Sequence, residues 1–394
     1  MHIKIRCNLE YWIFNIILTY SFVNAFLSTF FIGYVNKYVI FIMILMFFYC
    51  NRYIVNKSKA AFITFNFCVV FYILYNFVGF GFSQIISSDF YNFLLFAFMM
   101  VVVSNKGVRH RFLQFFVNHF NKYFFTLCLF WAVVVISILF QDGLKKDLTT
   151  VLPILYGPYE VPHSFGYALV AIYCALSLYQ IETHAKNKIL YVIRIICVVG
   201  TVWTAARSAV LAMAIVLCAD FIGIKKRSTK IVIFSLACIV GLYLVSFTDV
   251  LYNNPLIQKT ISATDAGSIT NGRERFATIL MTYYKSNNNQ FQKLFGIGMH
   301  NLRTVMGLGK VGKIHAHNDY VNTLVGYGFV GLVVYCYFQL KIFLSNNNWL
   351  YSIMLQSLIF ILAFYNGIAM YTSFTVIFIY VVLFFDRISN NRKG

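Results

Sequence analysis

The stretch YFFTLCLFWAVVVISILF, residues 123–140, decides the fold because none of its residues carries a charge. As an α-helix, rising 1.5 Å per residue, it would span about 27 Å, close to the thickness of the hydrocarbon core of a bilayer. Similar runs recur between Tyr11 and Phe385. Lipid offers no hydrogen-bond partners, and the runs lack the alternating polar positions of barrel strands. They therefore predict membrane-spanning helices.

The composition of the whole chain indicates the same class. Hydrophobic residues make up 60% of the 394 residues and charged residues only 11%, against roughly 25% charged residues in a soluble domain. We expect an all-α polytopic integral membrane protein, a single transmembrane domain over residues 1–394 with about 12 transmembrane helices. The predicted spans lie near residues 11–32, 38–50, 60–80, 90–104, 123–140, 163–180, 189–203, 208–224, 231–247, 320–343, 349–365 and 367–385.

Lysine and arginine are unevenly distributed over the loops between these spans. With the N-terminus inside, the inner segments hold 19 such residues, whereas the short outer loops hold only Lys37, Lys145, Lys146 and Arg207. This bias follows the positive-inside rule and explains the net charge of +20 without nucleic acid as a partner. We therefore expect both termini in the cytoplasm.

Two longer segments remain outside, a smaller loop at residues 141–162 and a large loop at residues 248–319. The large loop carries eight lysines and arginines against four acidic residues, on the side where short loops hold few cations. This excess indicates an anionic ligand held near the outer membrane surface. The alternative is that a long loop escapes the charge selection that acts on short ones.

Within the large loop, the sequence after Asn271 predicts a helix near residues 273–285. Apolar residues recur there with helical spacing, at Phe276, Ile279, Leu280, Tyr283 and Tyr284. With Asn271 as the N-cap, the first turn would offer free amides beside Arg273 and Arg275, which suits a phosphate. We expect the apolar face on the membrane interface. A helix packed on the membrane domain fits the same spacing.

A histidine pair before the tenth span provides a further candidate site residue. His317, in His315-Ala-His317 before the tenth span, can exchange protons near neutral pH and is a candidate general base. Zinc is the rival use of this pair, with His163 or His300 as further ligands. The chain has no Asp-x-Asp or Cys-x-x-Cys pair, and we expect no metal and no cofactor.

Two arginines lie in or beside apolar spans. Arg207 occupies the short outer turn between the seventh and eighth spans, where a charge is rare and usually functional. Arg194 lies near the inner end of its span, and we expect its side chain to snorkel to the cytoplasmic headgroups.

Four separated patches, together covering roughly residues 153–335, resemble the bacterial O-antigen ligase and polymerase superfamily. The most specific is His317-Asn318 followed after nine residues by Gly328-x-x-Gly331, which resembles the family's His-Asn…Gly-x-x-Gly signature. The other three resemble its Ser-Arg-Gly turn, its Gly-Arg motif and its Gly-x-x-x-x-Pro-Asn segment, and they lie at Arg207, at Arg273 and at residues 157–166.

The chain departs from the family pattern at three positions. Gly326 stands where many members have glutamate, Ser208 replaces the glycine after the arginine, and His163 replaces the expected asparagine. These departures put the functions of that glutamate and that asparagine in doubt here. They leave Arg207, Arg273 and His317 untouched.

The resemblance implies a GT-C-like, metal-independent glycosyltransferase of the bacterial inner membrane with its active face in the periplasm. Such an enzyme transfers an oligosaccharide from undecaprenyl pyrophosphate to an acceptor hydroxyl. Our hypothesis is that arginines bind the pyrophosphate while His317 activates the acceptor, with inversion at the sugar carbon. The proposed pyrophosphate ligands are Arg207, Arg273 and Arg275. The candidate glycan contacts are Tyr156, Tyr159, His163 and Asn318.

Polymerase and ligase share this chemistry and differ in the acceptor, which is another lipid-linked repeat unit or the lipid A core. We expect the polymerase, because the family's polymerases are often rich in phenylalanine and this chain has 43. The implied partners are the lipid-linked glycan, membrane lipids and a chain-length regulator. A flippase for the same lipid is the alternative from another class, although no internal repeat of the transporter kind is present.

Overall fold

The structure is a computed structural model that describes most of the chain from residue 102 onward and parts of what precedes it. The described residues are 11–18, 67, 70–75, 77–79, 95–96, 99–100, 102–140, 142–146, 150–224, 230, 253–265, 273–286, 289–308, 316–365, 367 and 372–390. The predicted spans at residues 38–50 and 231–247, the proposed N-cap Asn271 and His315 lie outside them.

Apart from one short ladder, the described secondary structure is helical, which confirms the all-α prediction. The helices are α1 (Lys106–Asn118), α2 (Phe120–Phe140), α3 (Pro162–Thr183), α4 (Lys188–Trp203), α5 (Arg207–Gly223), α6 (Pro255–Asp265), α7 (Arg273–Ser286), α8 (Gln290–Phe295), α9 (Met299–Leu308), α10 (Asp319–Ser345), α11 (Trp349–Tyr365) and α12 (Thr372–Asn390). In the smaller loop, β1 (Leu144–Lys145) pairs antiparallel with β2 (Ile154–Leu155), with Leu144 opposite Leu155.

Several helices are suited to lipid. Among the described residues, α2, α3 and α10 are long and apolar enough to cross a membrane, and α11 is apolar but shorter. These helices and the composition identify a membrane protein. The number of about 12 spans, the location of both termini and the periplasmic position of the large loop stay predictions.

The chain divides into two compact units. Unit 1 comprises Met1–His119, Gly272–Ser345 and Leu362–Ile379. Unit 2 comprises Phe120–Asn271, Asn346–Ile361 and Tyr380–Gly394.

In unit 2, α3 is the central helix and packs along both α4 and α5. Pro162 begins it, as the fixed φ of proline favours at the first helical position. Small residues let the backbones approach closely, since a Cβ added to Gly166 would lie 2.6 Å from the Cβ of Ala209. Every side chain from Ser164 to Leu178 is consequently buried.

Arg194 of α4 connects the same three helices. Its Nη2 donates to the hydroxyl of Tyr173 at 2.5 Å and forms a salt bridge with Asp220 of α5. Its Nη1 donates to Oε1 of Gln180 at 2.9 Å. The prediction that Arg194 snorkels to headgroups is wrong, because a carboxylate within unit 2 already neutralises the guanidinium.

We expect Asp220→Asn to lower the stability of the detergent-purified protein by about 3 kcal/mol, because it leaves a largely enclosed guanidinium without its counterion. The measurement is the thermal unfolding midpoint. Replacing both partners, with Arg194→Met and Asp220→Met, should recover much of the loss, since no unpaired charge remains. Losses that simply add in the double variant would contradict this account.

In unit 1, α7 and α9 pack against the first part of α10. Leu280 of α7 is fully buried in their common core with Leu302, Met306 and Val325. The other four apolar residues of the α7 spacing pack at the edge of this core. This supports the alternative of a helix packed on the membrane domain, whereas an interfacial location of α7 stays a prediction.

Candidate functional site

The centre of unit 1 is a break in α10. Gly328 has φ 71° and ψ −172°, which is not helical, so α10 consists of a first arm, residues 319–327, and a second arm, residues 329–345. Only glycine adopts such a φ without strain. The signature glycine at this position therefore marks the break.

A neighbouring segment satisfies the carbonyls at the break. In a continuous helix these carbonyls would accept from amides four residues later. Here the amides of Ile297 and Gly298 donate to the carbonyls of Val325 and Gly326 at 3.0 and 2.9 Å. The hydroxyl of Tyr72 donates to the third carbonyl, of Tyr327, at 2.6 Å. The segment between α8 and α9 is thereby attached to the break.

Close packing explains both signature glycines. A Cβ on Gly328 would lie 2.2 Å from the carbonyl oxygen of Leu294, and one on Gly331 would lie 2.3 Å from the Cβ of Tyr327. At Gly326, where many family members have glutamate, a Cβ would lie 2.6 Å from the sulfur of Met299. A side chain at this position would have to displace the end of Met299.

We expect Gly328→Ala to destabilise the protein by about 3 kcal/mol, because the backbone of α8 cannot move away from the new methyl group. The matched control is Gly326→Ala, whose methyl group comes closest to the flexible end of Met299 rather than to a backbone atom outside its own helix. The control should retain most of the stability, measured as the thermal midpoint in detergent. Equal losses in both variants would argue against the break as the critical feature.

Beyond the break, the two arms of α10 turn back toward each other. The hydroxyl of Tyr320 donates to Oε1 of Gln339 at 3.0 Å, and the rings of Tyr320 and Tyr335 are 5.4 Å apart. In one straight helix, 19 residues would separate Tyr320 from Gln339 by about 28 Å, beyond the reach of their side chains. The helix predicted over residues 320–343 is therefore present but interrupted at Gly328, and its first third folds back on the rest. Its crossing of the membrane stays a prediction.

The first arm begins directly after His317. Asn318 is 7% exposed, and its Oδ1 accepts from the amide of Val321 at 3.1 Å, so it caps the arm. This use of the side-chain oxygen weakens Asn318 as a glycan contact and makes it a residue that positions its neighbour. His317 is partly exposed, with its ring 6.1 Å from that of Phe276 in α7.

Arg273 lies in the same part of unit 1 as His317. It begins α7 one turn before Phe276, and its Nη1 donates to the carbonyl of Tyr365 at 2.6 Å. Two residues further on, a Cβ added to Gly367 would lie within 3.5 Å of His317, Asn318 and Asp319. The end of α11 therefore binds the predicted arginine, and Gly367 just beyond it lies beside the backbone of the predicted histidine.

The guanidinium of Arg273 is suited to its position electrostatically. The carbonyls at the C-terminal end of a helix carry a partial negative charge that favours a cation. Its Nη1 donates to Tyr365, and a guanidinium carries five N–H donors in all. Arg275 lies two residues along α7 and is exposed.

Arg207, the third predicted anion ligand, belongs to unit 2. It follows the turn after α4, where Ala205 has φ 51°, and begins α5. The hydroxyls of Ser208 and Tyr167 are 2.8 Å apart, so the N-terminal ends of α3 and α5 are bonded together next to it. The serine at this position thus has a structural use. The convergence of Arg207 with Arg273 and His317 stays a prediction.

The candidate glycan contacts of the smaller loop are also in unit 2 and differ in exposure. Tyr159 is only 9% exposed and packs against Phe165, so its ring offers little surface for stacking on a sugar. This burial also raises the pKa of its hydroxyl. Tyr156 is partly exposed, with the ammonium of Lys145 5.4 Å from its ring centre. His163 is partly exposed in the first turn of α3.

The zinc alternative receives no support from the part of the chain that the structure describes. No group of three or more His, Cys, Asp or Glu side chains comes together there in a way that could hold a metal ion. His315, one of the two histidines of the proposed pair, is not among the described residues.

Sequence analysis missed several residues of this region. Tyr72 and Gly296 belong to the attachment at the break, and Gly367 contacts the start of the first arm. Asp319 and Asn322 are each only 1% exposed on the first arm. Polar residues interrupting an apolar run were the available signal for these two.

The geometry defines a helical membrane protein with a cation and an imidazole close to the start of a broken helix. A family model described as O-antigen ligase matches residues 192–336, which include Arg207, Arg273 and the signature from His317 to Gly331. No curated protein matches the chain significantly. The match supports the predicted resemblance to the O-antigen ligase and polymerase superfamily. It indicates a glycosyl-transferring enzyme of the O-antigen pathway, either ligase or polymerase, which acts on lipid-linked glycans.

Proposed function

We propose that this chain is an O-antigen polymerase, which joins undecaprenyl-pyrophosphate-linked repeat units at the periplasmic face of the bacterial inner membrane. The observation that carries the proposal is that Arg273 binds the last residue of α11, Tyr365, while His317 lies beside Gly367, two residues further on. Transfer from a diphosphate requires a cation for the leaving group and a base for the acceptor, and this region of unit 1 offers both.

The proposed mechanism is a direct displacement. Arg273, with Arg207 and Arg275, stabilises the negative charge that develops on the pyrophosphate as the bond to the sugar breaks. His317 removes the proton from the acceptor hydroxyl as that oxygen attacks the sugar carbon from the opposite side. The configuration at that carbon is inverted. Diphosphate is a good leaving group, so neither step requires a metal.

We prefer the polymerase because this chain shares a phenylalanine-rich composition with the family's polymerases. The ligase is the second candidate, favoured by the description of the matching family model. Cells that lack the chain separate the two. Lipid A core carrying single repeat units is expected for a polymerase, whereas bare core with accumulated lipid-linked polymer would identify a ligase.

We expect Arg273→Ala to lower glycan transfer about a hundredfold, because one preorganised charge partner contributes about 3 kcal/mol to transition-state stabilisation. The measurement is the rate of chain extension by purified protein. The matched control is Lys285→Ala, which removes an exposed cation from the last turn of the same helix. Unchanged transfer by Arg273→Ala at normal expression would refute this role.

The same assay tests enzyme against transporter. In detergent there are no two sides of a membrane, so purified protein that lengthens lipid-linked repeat units is an enzyme and not primarily a flippase. We expect equal rates with and without a chelator, since the proposed steps use only side chains. A rate that collapses with chelator and returns with added metal would contradict metal-independent transfer.

A further inference from the structure

Asn322 is the most unusual polar residue of the first arm. It lies one helical turn after the cap Asn318, on the stretch that begins with His317, and its side chain is 1% exposed. Its backbone amide donates to the carbonyl of Asn318 at 2.9 Å, so its place in the helix is regular. The side chain itself is not needed for this bond.

The side-chain amide of Asn322 makes no hydrogen bond with the described residues. Both Oδ1 and Nδ2 are enclosed and lack partners within the described structure. Buried polar groups are nearly always hydrogen-bonded, and an exception in a folded protein calls for an explanation. An apolar residue of the same shape would stabilise the arm better, since an unsatisfied amide is costly to enclose. A structural role therefore does not explain the asparagine.

Asp319, one helical turn before Asn322, indicates which ligand chemistry this side of the first arm suits. Asp319 lies one turn before Asn322, on the same side of the first arm, and its carboxylate is also almost completely buried. A carboxylate only accepts hydrogen bonds, whereas an asparagine amide both donates and accepts. Adjacent sugar hydroxyls offer the complementary set of donors and acceptors.

We propose that Asn322 binds a sugar hydroxyl of the lipid-linked glycan and thereby holds the reacting sugar beside His317. This inference rests on the proposed function. Since the side-chain amide is enclosed in this structure, the first arm opens about the non-helical backbone of Gly328 to admit the sugar. It then closes on the sugar, which supplies the hydrogen bonds that Asn322 otherwise lacks.

Asn322→Leu tests the proposal because leucine has nearly the shape of asparagine and no polar atoms. We expect its thermal midpoint to equal or exceed that of the unchanged protein. We expect its transfer rate to fall roughly tenfold or more, because a site built to bind a hydroxyl loses that bond. The substrate is the lipid-linked repeat unit extracted from cells that lack the chain.

Asn346→Leu is the matched control. Asn346 follows α10 in the turn before α11, and its Oδ1 and Nδ2 also lack partners within the described structure. This variant should keep the full transfer rate. If Asn322→Leu prevents expression, Asn322→Ala provides the same comparison of the transfer rate with the thermal midpoint.

The outcomes are distinct. Loss of transfer with retained stability in the Asn322 variant alone supports the proposal. Full transfer by that variant, or parallel losses of transfer and stability, overturns it. If the unchanged protein itself does not lengthen lipid-linked repeat units, the proposed function fails, whatever the variants show.

Discussion

The hydrogen bonds at the break in α10 are the constraint on which the rest of unit 1 depends. An unsatisfied backbone carbonyl costs about 1–3 kcal/mol when it is buried, and lipid offers it no partner. Three carbonyls beside Gly328 find donors in the backbone of residues 297–298 and in Tyr72. A broken helix is therefore stable only together with the segment that binds it. This requirement attaches the large loop to the helices.

The candidate site follows from that attachment. The break directs the first arm back along the second, and the start of the arm carries His317 to the end of α11. Arg273 reaches the same place from α7, whose apolar face is held by the core around Leu280. Arg273, His317 and the end of α11 are thus brought into one region of unit 1 because the element that carries each of them is packed independently.

Much of the helical framework was predictable from apolar runs alone. The bounds of α2, α4, α5 and α11 agree with the predicted spans to within about three residues. By contrast, α6, α8 and α9 were not predicted in the large loop, and α1 was not predicted in an inner loop, because short helices held by caps and tertiary contacts have no long apolar run. The Asn289 capping box at α8 was a local signal that sequence analysis did not use.

By itself the sequence determined that this protein belongs in a membrane, that it is helical, and which residue types form the candidate site. These properties depend on composition and local spacing. Tertiary structure decided that α10 folds back at Gly328, that Tyr159 is buried and that Arg194 pairs with Asp220. Each of these depends on tertiary contacts, which the local sequence does not specify. A glycine permits a break in a helix, but the break is stable only because the amides of residues 297–298 and the hydroxyl of Tyr72 donate to the carbonyls at the break. The local sequence around Gly328 does not show where these donors lie.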